Sequence, residues 1–269
     1  MRRRLLLATC LGGVVAPVSG REPKGGTAGG TLRCGADVAL IDSGLAPALQ
    51  RGFGRDTGLP VHLVPAPSLP LLEALAAGEI DVALTNTPAA EDELERQGLI
   101  HDRRAIALGQ FLVVGPPWPP GVEPPPRGTG VAGLLQAFAR AAAMPSEALV
   151  FVSANDGSGV HAAEQAAWRL AGIAPQAPWY RAAAGKRPLA EEVRSQQAWA
   201  IVERGAWLAQ PGARLRVHLD GDPALAETVR AARAFRSPHP AATLFCDWIA
   251  GSRGHAVVAR QRAYRVPAR

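Results

Sequence analysis

The sequence predicts an α/β fold in which two lobes, each an α/β domain, face each other across a cleft. From residue 31 onward, short apolar runs typical of strands alternate with segments whose apolar residues recur at helical spacing. A proline-rich stretch at residues 116–126 breaks this alternation, which resumes behind it. A terminal segment from residue 215 then supplies one more strand and a closing helix that can return to the first unit. Such designs bind ligands in the cleft, where strands end and helices begin.

The first unit is predicted from alternating strands and helices before the proline-rich stretch. Its predicted strands are residues 31–35, 61–64, 81–84 and 105–114. Its predicted helices are residues 43–54, 69–77 and 89–98, and all three stop at or next to a glycine. Because each strand is followed by a helical crossover, we expect the strands to pair in parallel.

The second unit repeats the pattern. Its predicted helices are residues 131–143, 159–171 and 189–195, and its predicted strands are residues 149–152, 179–182 and 198–202. A return strand at residues 215–219 and an amphipathic helix at residues 241–260 close the chain. We therefore expect lobe I to comprise residues 31–115 plus 215–269, and lobe II residues 116–214.

The first thirty residues are predicted to lie outside both lobes. Three arginines at positions 2–4 precede an apolar run at residues 5–18 and the small residues Ser19 and Gly20, as in a bacterial export signal. A lipoprotein signal ending at Cys10 fits less well, because its apolar core would be too short. We expect residues 1–20 to be a signal peptide that directs the chain to the periplasm. Residues 21–30, rich in glycine, are predicted to be a flexible tether.

Composition and charge exclude several classes of protein. With 48% hydrophobic and 19% charged residues, the chain is not a disordered polymer. Removal of residues 1–20 takes away three arginines and no acidic residue, which lowers the formal net charge from +6 to +3. No basic stripe remains for nucleic acid. Residues 128–133 match a dinucleotide-binding fingerprint, but a proline-rich loop precedes them where a strand is required, so no cofactor is expected, and no metal motif is found. Cys34 and Cys246 are expected to be two buried small hydrophobic residues rather than a disulfide.

One segment points to ligand binding. At residues 151–161 an apolar strand leads into a turn of glycine, serine and aspartate, and a helix begins just behind it. Free N–H groups and the positive end of a helix dipole make such a turn a cradle for an anion or a polar ligand. Ser158 is the predicted N-cap, and an ordinary capped loop is the alternative. Ser158 and His161 do not suggest a catalytic pair, because residues three apart at a helix start rarely align. No enzyme is predicted.

The order of several short motifs resembles the periplasmic tungstate-binding proteins of ABC importers, in the type II periplasmic binding protein class. Such landmarks occur at residues 42–45, 81–84, 101–104, 111–116, 153–161, 168–172, 203–205, 221–223 and 247–249. The resemblance implies a monomer of two lobes that close on a small solute, an oxyanion in the family, and deliver it to a permease in the membrane.

The ligand-binding positions implied by the resemblance have changed. Where the family carries a run of threonine and serine, this chain has Ala-Asp-Val-Ala at residues 36–39. The family's arginine and threonine in the glycine-rich segment correspond to Ala154 and Val160, and only the hydroxyl of Ser68 survives in the turn at residues 67–69. A charge-assisted hydrogen bond contributes about 1.5–3 kcal/mol. We therefore expect tungstate to bind several orders of magnitude more weakly than in the family.

The candidate ligand-binding residues are polar groups predicted to line the cleft. They are the hydroxyl donors Ser68 and Ser158, the backbone amide of Gly159, the acid Asp37, and the polar side chains Asn86 and Asn155. For Asp37, a solvated loop acid that caps the helix expected to start near Ser43 is an equal alternative. The predicted function is an exported solute-binding protein with an altered pocket. A periplasmic sensor or interaction module without a transport role is the alternative.

Overall fold

The computed structural model describes residues 30–144, 149–210, 212, 215–236 and 239–268. The predicted signal peptide and the predicted tether up to residue 29 lie outside the described residues. Among the helices that are described, none is both long enough and apolar enough to cross a membrane.

Strands and helices alternate along most of the described chain. The strands are β1 (Leu32–Asp37), β2 (Val61–Ala66), β3 (Val82–Thr85), β4 (Ile100–Gly115), β5 (Phe151–Ser153), β6 (Tyr180–Ala182), β7 (Ala200–Glu203), β8 (Arg216–Leu219) and β9 (Ala226–Ala234). The helices are α1 (Val38–Asp42), α2 (Leu45–Thr57), α3 (Ser68–Ala77), α4 (Pro88–Arg96), α5 (Val131–Ala142), α6 (Gly159–Ala171), α7 (Leu189–Gln196), α8 (Arg204–Ala209), α9 (Pro240–Ala250) and α10 (Ser252–Val258).

The long strand β4 connects the two halves of the molecule. The main sheet has the order β2-β1-β3-β9-β4-β7, and β8 also pairs with β4. The first part of β4, up to Gln110, pairs with β9, whereas its last part pairs with β7 and β8. Strands β5 and β6 form a separate parallel pair. The sheet therefore continues from one half of the molecule into the other through a single strand.

The expectation of parallel pairing is correct for some strands and wrong for others. Strand β1 pairs in parallel with β2 and β3, but β9 is antiparallel to both of its neighbours, and β4 is antiparallel to β7 and β8. Strand β9 was not predicted, because its inward positions are filled by alanine, valine and glutamate rather than by large apolar residues. β-Strand propensity is low for alanine and glutamate.

Several helix and strand boundaries also differ from prediction. The helix expected at residues 43–54 is α2, which begins at Leu45 behind Gly44, whose φ is 81°; the short helix α1 before it was not predicted. The helix expected at residues 241–260 breaks at Gly251 into α9 and α10. Helix α8 was not predicted, and the strand expected at residues 105–114 begins five residues earlier.

Separate hydrophobic cores support the two lobes. In the first, α2 and α9 pack on the sheet, and Phe53 lies edge-on against Phe245 and Trp248. In the second, aromatic side chains of α5, α6 and β5 cluster around Phe151. This arrangement confirms the predicted two-lobed α/β fold. Cys34 is a free, buried thiol in the first core, and so is Cys246, as expected for two small hydrophobic residues.

Candidate functional site

The centre of the candidate site is the carboxylate of Asp37. This residue ends β1 and is the N-cap of α1, where its Oδ1 atom accepts a hydrogen bond from the amide of Ala39 at 3.0 Å. The other oxygen, Oδ2, accepts hydrogen bonds from the Ser68 hydroxyl at 2.5 Å and the Ser68 amide at 3.0 Å. It also accepts one from the Gly159 amide at 3.2 Å. Asp37 is completely buried.

These donors belong to the first residues of two helices. Ser68 begins α3 and Gly159 begins α6, so the positive ends of both helix dipoles point at the same carboxylate. Burial raises the pKa of Asp37, and the hydrogen bonds from Ser68, Ala39 and Gly159 oppose that rise by favouring the ionised form. The alternative of a solvated loop acid is therefore wrong: Asp37 is buried, and the helix that it caps is the unpredicted α1 rather than the helix expected from Ser43.

Asn86 lies beside this contact, just behind β3. Its side-chain amide donates to Oε1 of Glu227 at 2.6 Å, and its carbonyl oxygen lies 3.2 Å from the Ser68 hydroxyl. A Cβ atom on Gly159 would come within 1.8 Å of the Asn86 carbonyl oxygen. The start of α6 thus approaches Asn86 so closely that any side chain at position 159 would force Asn86 or α6 to move.

Two buried glutamates near Asp37 were missed by the sequence analysis. Burial and the nearby charge of Glu203 raise the pKa of Glu227 well above its usual value. Glu203 caps α8 by accepting hydrogen bonds from the amides of Gly205 and Ala206, both at 2.6 Å. Burial raises the pKa of Glu203 to about 7, in spite of those bonds. A capping acid directly before a helix is the signal that would have identified Glu203.

Ser158 is the N-cap of α6, as predicted. Its hydroxyl accepts a hydrogen bond from the amide of His161 at 3.3 Å, while Nδ1 of His161 accepts one from the amide of Gly157 at 3.2 Å. The two side chains therefore serve the local turn and do not form a nucleophile and base. Asn155 is exposed in a left-handed conformation with a φ of 47°, apart from the Asp37 contact, and its ligand role stays a prediction.

A cavity of about 480 Å³ adjoins the contact. Ser158 and Glu203 line it, but Asp37, Ser68, Asn86 and Gly159 do not. Its apolar lining includes Val38, Val160 and Leu189, and its other acids are Asp42 and Asp156. Lys186 and Arg187 contribute from an exposed loop.

Three of the residues that line the cavity are acidic, and two, Lys186 and Arg187, are basic. Burial and the charge of Asp37 raise the pKa of Asp42. Across the described ranges, no three His, Cys, Asp or Glu side chains are grouped so that they could hold a metal ion. The structure thus brings the predicted residues Asp37, Ser68, Asn86 and Gly159 together in one contact, and it places Ser158 at the cavity.

A cleft lined by helix N-termini, between two α/β lobes joined through one sheet, defines the class of two-lobed binding proteins. The chain belongs to the PBP superfamily: residues 24–233 match the PBP superfamily domain. The resemblance to tungstate-binding proteins therefore agrees with the family to which the chain belongs.

Individual relatives agree with this assignment. The chain is 28% identical over 207 residues to a tungstate-binding protein of Peptoclostridium acidaminophilum. This alignment covers 76% of this chain and 70% of the relative. It is also 28% identical over 226 residues to a protein of Haloferax volcanii provisionally named an ABC transporter anion-binding protein. That alignment covers 80% of this chain and 64% of the relative, so the chain matches less than two thirds of that relative's length.

Among solved structures, the tungstate ABC transporter protein of Geobacter sulfurreducens is similar in fold, with a TM-score of 0.72. The two share 22% sequence identity, and the match covers 87% of this chain and 99% of the other. At that identity the likeness establishes the fold alone. It confirms the type II binding-protein architecture predicted from the sequence.

Proposed function

We propose that the chain is the solute-binding component of an ABC importer, exported to the periplasm by residues 1–20, which hands a small solute to a membrane permease. Membership of the PBP superfamily and the names of the two relatives support this role. The proposed division is residues 31–115 plus 215–269 for lobe I and residues 116–214 for lobe II. The protein is proposed to act by binding and closure as a monomer, not by catalysis.

The cavity beside the Asp37 contact is the observation that carries this proposal. Its volume of about 480 Å³ lies within the range of about 300–1,000 Å³ that is usual for small-molecule sites. A mainly apolar lining with a few polar groups is also usual for such sites. The proposed solute is therefore a small organic molecule rather than a bare tetrahedral oxyanion.

The charges of the lining indicate the chemistry of that solute. Three acids, Asp42, Asp156 and Glu203, line the cavity. They outnumber the two exposed basic residues of the lining, Lys186 and Arg187, so an anion beside the acids would be repelled. A protonated amine would be attracted instead. We infer that the solute carries an amine, and that its apolar part rests on side chains such as Val38, Val160 and Leu189.

Closure follows from the position of the cavity between elements of both proposed lobes. Val38 and Asp42 lie on α1, whereas Val160 lies in the first turn of α6 and Leu189 begins α7. A solute that contacts both sets stabilises the closed form by its differential contacts, which is the hinge mechanism of such proteins.

Thermal unfolding of the full chain with individual solutes tests the proposal. Organic amines and amino acids are compared with tungstate, molybdate, sulfate and phosphate. A ligand at a hundred times its Kd adds about 2.7 kcal/mol, which raises Tm by about 5–10 °C at this size. We expect an organic amine to raise the Tm of the wild type in this way. In Asp42→Asn we expect the same amine to cause no such rise. A rise with micromolar tungstate and none with any amine would contradict the proposal.

A second candidate function is a periplasmic sensor or interaction module without a transport role. It is favoured by direct bonds between the lobes that need no solute, including the bond from the Leu69 amide to the Gly157 carbonyl at 3.0 Å. A membrane receptor recovered with the full chain, together with no response to any solute in the scan, would support this function over the first.

A further inference from the structure

We propose that Asp37 is a built-in anion: its carboxylate fills an anion position between the lobes, holds them closed without a solute, and keeps free oxyanions out. The proposal goes beyond the solute-binding role, because the contact stands whether or not the adjoining cavity binds a solute.

Three hydrogen-bond donors converge on one oxygen of Asp37. Oδ2 of Asp37 accepts the hydroxyl and amide of Ser68 and the amide of Gly159. The 2.5 Å distance from the hydroxyl is typical of a hydrogen bond to an ionised oxygen. Helix N-termini with free amides bind anions throughout protein structures. Here two such termini, α3 and α6, are satisfied by a carboxylate of the chain itself.

The contact also crosses the cleft. Asp37 and Ser68 belong to the proposed lobe I, and Gly159 belongs to the proposed lobe II. A second bond, from the Leu69 amide to the Gly157 carbonyl, joins residues close in sequence to Ser68 and Gly159 and crosses between the same two proposed lobes. A bound solute normally supplies the differential contacts that favour closure. In this chain the Asp37 carboxylate supplies one such contact between the lobes whether or not a solute is bound.

Exclusion of free oxyanions follows from charge and from occupancy. An anion entering the contact would meet a buried carboxylate of the same sign, and like charges at short range repel strongly where water is absent. It would also find the donors of Ser68 and Gly159 already in use. Removal of the carboxylate should therefore free the donors and create an anion site.

The variant Asp37→Ser tests this inference. Serine is a good N-cap and can keep the bond to the Ala39 amide, but it is too short to reach Ser68 and Gly159 as the carboxylate does. Asp42→Asn is the matched control, because it removes a nearby acid that lines the cavity and makes none of the bonds to Ser68 or Gly159. The probes are molybdate, tungstate and phosphate at millimolar concentration, added to the full chain.

We expect Asp37→Ser to have a lower Tm than the wild type and to regain about 5 °C or more with at least one oxyanion. The wild type and Asp42→Asn should show no oxyanion response. If an oxyanion raised the Tm of the wild type equally, the claim that Asp37 keeps free oxyanions out would be wrong. If no oxyanion raised the Tm of Asp37→Ser, the claim that Asp37 occupies an anion position would be wrong. These outcomes do not depend on the organic solute, so they are distinguishable from a failure of the proposed function.

Two further measurements keep the inference testable if Asp37→Ser does not fold. Asp37→Asn keeps the size of the side chain and removes its charge, so we expect a lower Tm without an oxyanion response; a wild-type Tm would overturn the role of the charge. Small-angle X-ray scattering measures closure in the wild type directly. Its radius of gyration without solute should match that of the closed structure, and a larger, open value would contradict the proposal.

Discussion

Gly159→Ala tests the close approach of the two lobes. The added Cβ would lie 1.8 Å from the Asn86 carbonyl oxygen, so Asn86 or the start of α6 must move by about 1 Å or more. Asn86 is held by its 2.6 Å bond to Glu227, and α6 is held by the 3.2 Å bond from the Gly159 amide to Asp37. Any relief of the overlap therefore breaks or stretches a buried hydrogen bond.

The cost can be estimated from these contacts. Overpacking costs about 1–3 kcal/mol, and a buried polar group left without its partner costs about 1–3 kcal/mol more. Alanine returns at most about 1 kcal/mol through its better helix propensity. We expect a net loss of about 2–4 kcal/mol in the free energy of unfolding, and a Tm lower by at least about 4 °C.

Thermal and denaturant unfolding of Gly159→Ala measure this loss, with Gly54→Ala as the control. Gly54 lies within α2, and a Cβ there would make only an ordinary contact at 3.7 Å, so alanine should stabilise the chain by up to about 1 kcal/mol. Asn86→Ala removes the atoms that overlap and should reduce the additional cost of Gly159→Ala. Equal stabilisation by Gly159→Ala and Gly54→Ala would refute the close approach.

Two other predictions concern pH and core packing. Burial raises the pKa of Glu164 and of Glu203 to about 7, from the ordinary value of 4.5. Because the folded chain holds these protons more tightly than the unfolded chain, the free energy of unfolding should fall as pH rises from about 4.5 to about 7; a Tm at pH 8 equal to or above that at pH 5.5 would contradict this. On α6, Trp168→Ala should cost about 3–5 kcal/mol because Trp168 is buried, whereas Leu170→Ala should change unfolding little because Leu170 is 59% exposed. Similar losses in urea unfolding of these two variants would count against the packing of α6.

Helices with clear capping residues could be predicted from the sequence alone. Helix α6 runs from Gly159 to Ala171 as predicted, because Ser158 caps its start and Gly172 ends it in a left-handed conformation. Helix α5 lies within one residue of its predicted bounds. In contrast, β9 is held in the centre of the sheet by its neighbours β3 and β4, and its own residues give a weak strand signal.

The candidate site depends on contacts that no local pattern contains. Asp37 meets Ser68 across 31 positions of sequence and Gly159 across 122. The sequence identified all three residues as candidates, but it left open whether Asp37 pointed inward. Glu227, 141 positions from Asn86, was missed because it lies on the unpredicted strand β9. Burial of these groups is a property of the assembled lobes.

The occupancy of the Asp37 contact can be measured directly by anomalous scattering from tungsten. Wild-type protein and Asp37→Ser would be crystallised with tungstate, and tungsten would be located in each. We expect no tungsten between Asp37, Ser68 and Gly159 in the wild type, where the carboxylate keeps its bonds, and a tungsten peak at that position in Asp37→Ser. A tungsten peak there in the wild type, with the Asp37 side chain displaced, would contradict the claim that the chain supplies its own anion.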